Sequence, residues 1–448
     1  MTSPDQMTLR SFWAALPTPA RWLLASTVFQ VLGRGLTLPF TIIYLHEVRD
    51  LTLDVAGTMM GLAFAVALVL TPLAGSLTDR LGARIMVMIG SAAQSVGVAI
   101  LAFADDIPTV ALAMVFVGIC NAGGWSAFNV LISSLVDGPV RVQYFGINFA
   151  LINLGIGLGG VVGGVFVDVH RPETFTTIFL VDAVCMLIPI GLMLGPLRHV
   201  HGRSETPEDE VDTKVSYLTL LRRPGVLHLV LIGLVFSFVG YGQMEAGFPA
   251  FARQVSEVST QVIGWAFAVN TVVIVAFQFF VLRRIEGHRR TRVVVLMAAI
   301  WAVSWLVLGA TAPFAGTLTA ATMVLVFHAL FASGETLLQP TLPAITNDLA
   351  PAHLRGRYNA LTSGAFQLGA VVGPLVAGFL LRHHLGSAFI GVLLAGCAVL
   401  AVVAVRLERQ ISPEVNGVGG GGGDDVPPVP PTVVDPALTD PAVTDPGR

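Results

Sequence analysis

RVQYFGINFALINLGIGLGGVVGG, residues 141–164, returns as RGRYNALTSGAFQLGAVVGPLVAG at residues 355–378. Arg141, Tyr144, Leu154, Gly155, Gly159 and Gly164 recur 214 positions later as Arg355, Tyr358, Leu368, Gly369, Gly373 and Gly378. Two further echoes lie outward from this stretch. GLAFAV at 61–66 returns as GWAFAV at 264–269, and Pro39 with Glu47-Val48 returns as Pro249 with Glu257-Val258. The offsets drift between 203 and 214, as loops do after a duplication. Two like-handed halves in an apolar chain are an architecture of membrane transporters, with the substrate site between the halves.

Composition places the chain in a bilayer. Its 448 residues are 54% hydrophobic and 12% charged, about half the charge of a soluble domain, and mean hydropathy is +0.78. Cys120, Cys185 and Cys397 lie in apolar stretches, too few and too dispersed for a disulfide framework or a metal site. No metal or cofactor is expected, and no nucleic-acid partner: outside the acidic tail the body carries 24 basic and 22 acidic residues. No short apolar core with a small-residue cleavage site opens the chain, so the first span is read as its own insertion signal.

About 20 apolar residues cross a bilayer, and twelve segments qualify: near 20–45, 54–78, 84–104, 107–135, 143–168, 174–196, 225–251, 258–282, 292–312, 316–344, 358–381 and 386–406. The reading is an all-α integral membrane protein with 12 transmembrane helices in two pseudo-symmetric six-helix bundles. Residues 1–19 form an N-terminal segment, 20–197 the first bundle, 198–223 the inter-bundle loop, 224–407 the second bundle and 408–448 a disordered Gly/Pro/Asp-rich tail. With both ends inside, 20 of the 25 basic residues fall in cytoplasmic segments, which predicts cytoplasmic termini in the cell membrane.

GSLTDRLGAR at 75–84 resembles the GxLxDRxGxR signature of the major facilitator superfamily. Physical chemistry gives each residue a reason. Gly75 permits close helix contact, Gly82 a sharp turn, and Asp79 is an acid at a helix end beside Arg80 and Arg84. The resemblance implies a conformational latch on the cytoplasmic side, which Arg141 would join. The second-half counterpart, LRRIEGHR at 282–289, keeps the glycine but has Arg284 in place of the acid.

The run Gly155, Gly159, Gly160, Gly163, Gly164 is similar to the GxxxGPxxGG motif of antiporters in that superfamily, with glycine at the proline position. The proline form stands in the second half as Gly369, Gly373, Pro374 and Gly378. Packing of small residues explains much of this pattern by itself. Gly334-Glu335 through Pro340 resembles the GExxxxP element of 12-helix drug:proton antiporters. Met114 occupies the place of the fourth-helix arginine of proton-coupled members, which weakens proton coupling or moves it to other helices.

Three charges lie inside apolar segments, Arg34, Glu245 and Glu335, and each costs about 2.5–3.5 kcal/mol at mid-helix on insertion scales. The resemblance implies that helices 1, 4, 7 and 10 line a central cavity. The repeat offsets set Glu335 opposite Asn121 and Glu245 opposite Gly35, one residue from Arg34. Around these groups, Gln30, Tyr241, Trp125, His328 and Gln339 complete the candidate substrate and proton site. Aromatic and polar groups mixed in this way suit an amphipathic organic compound. A purely structural ion pair of Arg34 with a glutamate stays open beside this reading, and Asp182 reads as a local hydrogen-bonding group.

The function expected is secondary active transport of a small drug-like compound by alternating access, as proton-coupled multidrug efflux by a monomeric antiporter. The alternatives are a metabolite symporter or facilitator with Arg34 binding an anion, and a non-transporting membrane receptor. No phosphate-binding loop, metal cluster or nucleophile elbow marks an enzyme.

Overall fold

The computed structural model describes residues 9–200, 217–285, 287–351 and 354–418, except the side chains of Leu9, Trp125, Pro139, Val142, Phe279, Leu282, Arg283, Gln339 and Pro340. Twelve helices are long and apolar enough to span a membrane. They are α1 Thr18–Val48, α2 Leu53–Leu81, α3 Ala83–Ala102, α4 Ile107–Ser133, α5 Gly138–Phe166 and α6 Pro172–Leu194, then α7 Val226–Gln254, α8 Thr260–Ile285, α9 Arg290–Gly309, α10 Leu318–Leu349, α11 Arg355–Arg382 and α12 Gly386–Glu408. Among the described residues there is no strand.

Local chemistry sets the helix ends. Asp106 caps α4 by accepting from the Thr109 N–H at 2.8 Å, and this bonding holds its carboxyl below the usual range. Gly82 makes the α2–α3 turn at φ 87°, a conformation that costs glycine nothing. α7 breaks at Gly240, where a β-carbon would lie 2.5 Å from the Trp301 ring. The Val239 carbonyl at the break accepts from Trp305 Nε1 at 3.1 Å, so this carbonyl is not stranded in the membrane. A π-helical turn, Gln243–Gly247, follows and carries Glu245. Pro249, without an N–H, helps to account for this irregularity.

The two halves repeat their packing. In the first, α1 lies on α5 and α6, α3 on α4 and α6, and α2 on α4; in the second, α7 lies on α11 and α12, α9 on α10 and α12, and α8 on α10. The bundles meet along α2–α11 and α5–α8. The glycine run explains how. On α5, Gly155, Gly159 and Gly163 face α1, while Gly160 and Gly164 face α8. On α11, Gly369 and Gly373 face α7, while Gly378 faces α2 and Gly57 of α2 rests on the Pro374 carbonyl. A β-carbon on Gly159 would come within 2.4 Å of the Leu32 carbonyl oxygen, and one on Gly369 within 2.3 Å of that of Leu234. One motif thus makes two backbone-to-backbone seams in each half.

Two details differ from the sequence reading. A β-carbon at Gly75 would meet nothing within 4 Å, so no close helix contact explains this glycine here. The expected tail does not begin at 408. Asn416 is buried, and its side chain accepts from the Thr291 N–H at 3.0 Å, satisfying a free amide at the start of α9. Residues 201–216 of the inter-bundle loop and 419–448 of the tail lie outside the described residues.

Candidate functional site

The seam between the bundles is unlike at its two ends. On the face away from the chain termini it is closed by charge. Arg253 of α7 donates to both Glu47 carboxylate oxygens of α1 at 2.8 and 2.6 Å. Arg382 of α11 pairs with Asp54 of α2. Gln254 Nε2 lies 2.8 Å from His46 Nε2. The Thr260 hydroxyl of α8 donates to the Gly164 carbonyl of α5 at 3.2 Å.

On the face carrying the termini the seam is hollow. A cavity of about 560 Å³ is walled by α2, α4, α7, α10 and α11, including Phe64, Asn121, Phe236, Asn359 and Phe366. Its residues sit in the parts of α2, α4, α10 and α11 nearer that face. This volume falls within the range of small-molecule sites. Asp79 is exposed there, and the structure shows no ion pair to it among the described residues. Arg84 Nε donates to the Met193 carbonyl at 3.0 Å, and Arg141 stands 3.9 Å from Asp137. Arg80 is likewise exposed.

The intramembrane charges sit at the inner end of this hollow. Arg34 of α1 reaches across the seam to Glu245 of α7, Nη2 to Oε1 at 3.0 Å. Both border a narrow space of about 40 Å³ with Phe64 and Asn121. Asn121 is the junction, because it also faces a chamber of about 280 Å³ within the first bundle, lined by Gln30, Cys120, Phe128 and Asn148. Gln30 is turned to Ser26, donating at 2.5 Å.

Glu335 is held apart from that pair. It is 8% exposed, accepting from the Tyr241 hydroxyl at 2.7 Å and the Asn270 amide at 3.3 Å. Tyr241 in turn packs edge-on to Phe236 and tilted against Phe366, ring centres 6.2 and 5.8 Å away, so the carboxyl lies behind the cavity's aromatic wall. His328 lines none of these cavities. It is fully buried between Phe248, Phe267 and Phe327, and neither ring nitrogen has a hydrogen-bond partner among the described residues. The side chains of Trp125 and Gln339 lie outside the described residues.

A family model described as Major Facilitator Superfamily matches residues 23–261 and 256–441. The chain belongs to the Major Facilitator Superfamily. It is 25% identical to the quinolone resistance protein NorA of Staphylococcus aureus (strain MRSA252) over 85% of this chain and 93% of that one. It is 23% identical to the uncharacterised MFS-type transporter YqjV of Bacillus subtilis (strain 168), over 88% and 95%. Among solved structures, a POT family transporter in complex with 5-aminolevulinic acid superposes with TM-score 0.72 at 14% identity, covering 92% of this chain and 98% of that one. The nucleoside transporter NupG does so with TM-score 0.68 at 11% identity, covering 87% and 100%. The superfamily consists of transporters, so this is a multi-pass membrane transporter and not an enzyme.

Within that superfamily fold, sequence reading named Asn121 but missed the aromatic walls of the cavity. Phe64 and Phe366 are apolar residues in apolar helices, and nothing in their local pattern sets them apart. A signal for Phe64 was present in the GLAFAV echo, whose second copy supplies Phe267. Asp182, read as a local hydrogen-bonding group, does accept from Thr37 of α1, but its full burial one helix behind Arg34 was not foreseen. Burial of that kind follows from α6 packing on α1, which no single-helix pattern reveals.

Proposed function

We propose that this transporter exports a small amphipathic organic compound from the cytoplasm in exchange for protons. The observation that carries the reading is the Arg34–Glu245 pair, a 3.0 Å ionic bond joining the two bundles at the closed end of a hollow. Two bundles held by such a bond can rock only if its charges are rebalanced. A proton or a cationic substrate arriving at Glu245 does this directly. The basic-residue bias puts the termini, and the mouth of the hollow, in the cytoplasm. The compound then enters from inside and leaves after the Glu47–Arg253 and Asp54–Arg382 pairs part.

Glu335 is the second proton site in this scheme. Its oxygens are met by a tyrosine hydroxyl and an amide rather than a cation, so a neutral or a charged carboxyl can be accommodated there. The Phe64, Phe236 and Phe366 wall offers apolar surface, and Asn121 and Asn359 offer hydrogen bonds. NorA's name as a quinolone resistance protein supports drug-like cargo. Pairing of Arg34 weighs against the anionic-substrate reading, since an anion would first have to displace Glu245.

The test is export of ethidium, an amphipathic cation, from proteoliposomes under an imposed proton gradient, with internal pH followed by a trapped dye. The reading expects gradient-driven ethidium movement with counterflow of protons, both lost in Glu245→Gln. Movement of ethidium with no proton counterflow would overturn the coupling.

A further inference from the structure

Asp182 of α6 is a buried carboxylate whose hydrogen bonding is half complete. It is fully buried. Its Oδ2 accepts from the Thr37 hydroxyl at 2.9 Å, whereas Oδ1 has no hydrogen-bond partner among the described residues. A carboxylate so placed is costly unless a cation balances it. The helix it touches supplies one. A β-carbon on Gly33 would lie 2.7 Å from Asp182 Oδ1, so α6 rests on the α1 backbone at the residue before Arg34. Arg34 is within electrostatic reach of Asp182 and of Glu245. The other titratable groups close by are Cys120 of α4 and Cys185 of α6.

The two carboxylates differ in one decisive respect. Asp182 belongs to the same bundle as Arg34, and its distance from the guanidinium is preserved when the bundles move as bodies. Glu245 belongs to the other bundle and is carried away. Thr37 stands between them: its hydroxyl binds Asp182, and its residue borders the narrow space occupied by Arg34 and Glu245.

We propose that Asp182 is the standing counter-ion of Arg34, holding the guanidinium charge within the first bundle whenever Glu245 separates from it or is neutralised. This rests on the alternating-access reading above. It makes Asp182 a positioning residue rather than a binding one. The seam can open because Arg34 is never left as an uncompensated cation inside the membrane.

A double-mutant cycle on the purified full-length protein tests this without any substrate. Thermal midpoints are measured for Asp182→Asn, Glu245→Gln, the double variant, and the double variant carrying Arg34→Gln. Expected are modest losses for each single change, a loss in the double variant clearly exceeding their sum, and recovery of most of that loss once Arg34 is neutralised. Asp182→Glu should retain the wild-type midpoint more closely than Asp182→Asn. An Asp182 kept only for its bond to Thr37 would behave otherwise. Asp182→Asn would then match Thr37→Val, add simply to Glu245→Gln, and gain nothing from Arg34→Gln, and that pattern overturns the proposal. If Asp182→Asn alone fails to fold, the comparison becomes Asp182→Asn with and without Arg34→Gln. Recovery by the second change supports the counter-ion, and failure to recover overturns it. Proton counterflow in vesicles is a separate readout: an additive cycle with intact counterflow removes the counter-ion alone, and a non-additive cycle without counterflow removes only the export reading.

Discussion

The two halves of the protein share their packing residues and differ in their charges. Positions 155, 159, 160 and 164 have counterparts at 369, 373, 374 and 378, and each set makes one seam inside its bundle and one across to the other bundle. The turns Gly82 and Gly287 likewise both keep positive φ, 87° and 76°. The costly groups are not shared. Asn121 stands opposite Glu335, Met114 opposite His328, and the acid of the Asp79 loop has no acidic counterpart at Arg284. Duplication therefore supplied a scaffold, and the chemistry was installed unevenly upon it. Packing is satisfied by symmetry because both bundles solve the same steric problem. Vectorial transport is not, because a cargo must be taken up at one point of a path and released at another.

The strongest way to break this comparison is to load both copies of the scaffold. Gly159→Val and Gly369→Val each drive a side chain into a carbonyl already 2.4 or 2.3 Å from the β-carbon position. Overpacking of this severity costs on the order of 3 kcal/mol or more. Both variants are expected to lose most folded protein, measured as monodisperse yield after detergent extraction, and to about the same extent. A large loss in one half with tolerance in the other would show that the seams are not equivalent.

Changing chemistry instead of packing should separate the halves. Glu335→Gln keeps the size of the side chain and its contact with the Tyr241 hydroxyl. The expected outcome is a near-normal melting temperature with proton-driven ethidium movement reduced to the passive rate. The mirrored change, Asn121→Asp, puts a carboxyl at the junction of the hollows. It should alter ethidium affinity while leaving proton counterflow dependent on Glu335, as a pH titration of transport in both variants would show.

A smaller effect is expected at the closed face. The Arg253–Glu47 pair is about one-fifth exposed on each side, so after discounting for solvent its loss should shift the balance between conformations by about 1 kcal/mol, roughly fivefold. The readout is labelling of Thr41→Cys by a membrane-impermeant maleimide, with Cys120, Cys185 and Cys397 replaced by Ala. Thr41 borders the narrow space by the Arg34–Glu245 pair, and Arg253→Gln should raise its labelling from outside by that factor. Unchanged labelling would mean that the Asp54–Arg382 pair and the glycine seams close this face by themselves.

How much of this was legible in the chain depends on the kind of pattern. Twelve apolar spans, the duplication and the packing glycines follow from period and composition, since steric and solvation demands repeat along a helix. Arg34, Glu245 and Glu335 were legible because charge in an apolar run is conspicuous. That Arg34 could pair with a glutamate was legible too; which glutamate was not. Arg34 pairs with Glu245, whereas Glu335 turns to Tyr241 and Asn270, and which partner wins depends on helix rotation and on the break at Gly240. His328 was misread for a related reason. An imidazole on an apolar face gives no sign of whether it looks into water or into Phe248 and Phe267.

The least effect is expected at Gly75, and it sharpens the comparison because sequence gave this residue a packing role like that of the helix-5 glycines. Its β-carbon position is open on the face carrying the termini, so Gly75→Ala should leave the melting temperature of this conformation unchanged or slightly raise it, by no more than about 1 kcal/mol of helix propensity. The same helix end carries Asp79, exposed and with no ion pair shown among the described residues. If the bundles close over this face during transport, Gly75 becomes the point where α2 meets its neighbour, and the added methyl obstructs closure. Gly75→Ala should then slow ethidium export while sparing stability, the reverse of Gly159→Val. A neutral result in both assays would leave Gly75 with neither a packing nor a closing role, and the constraint on that loop with the turn at Gly82, the charge of Asp79 and the bond of Arg84 to the Met193 carbonyl.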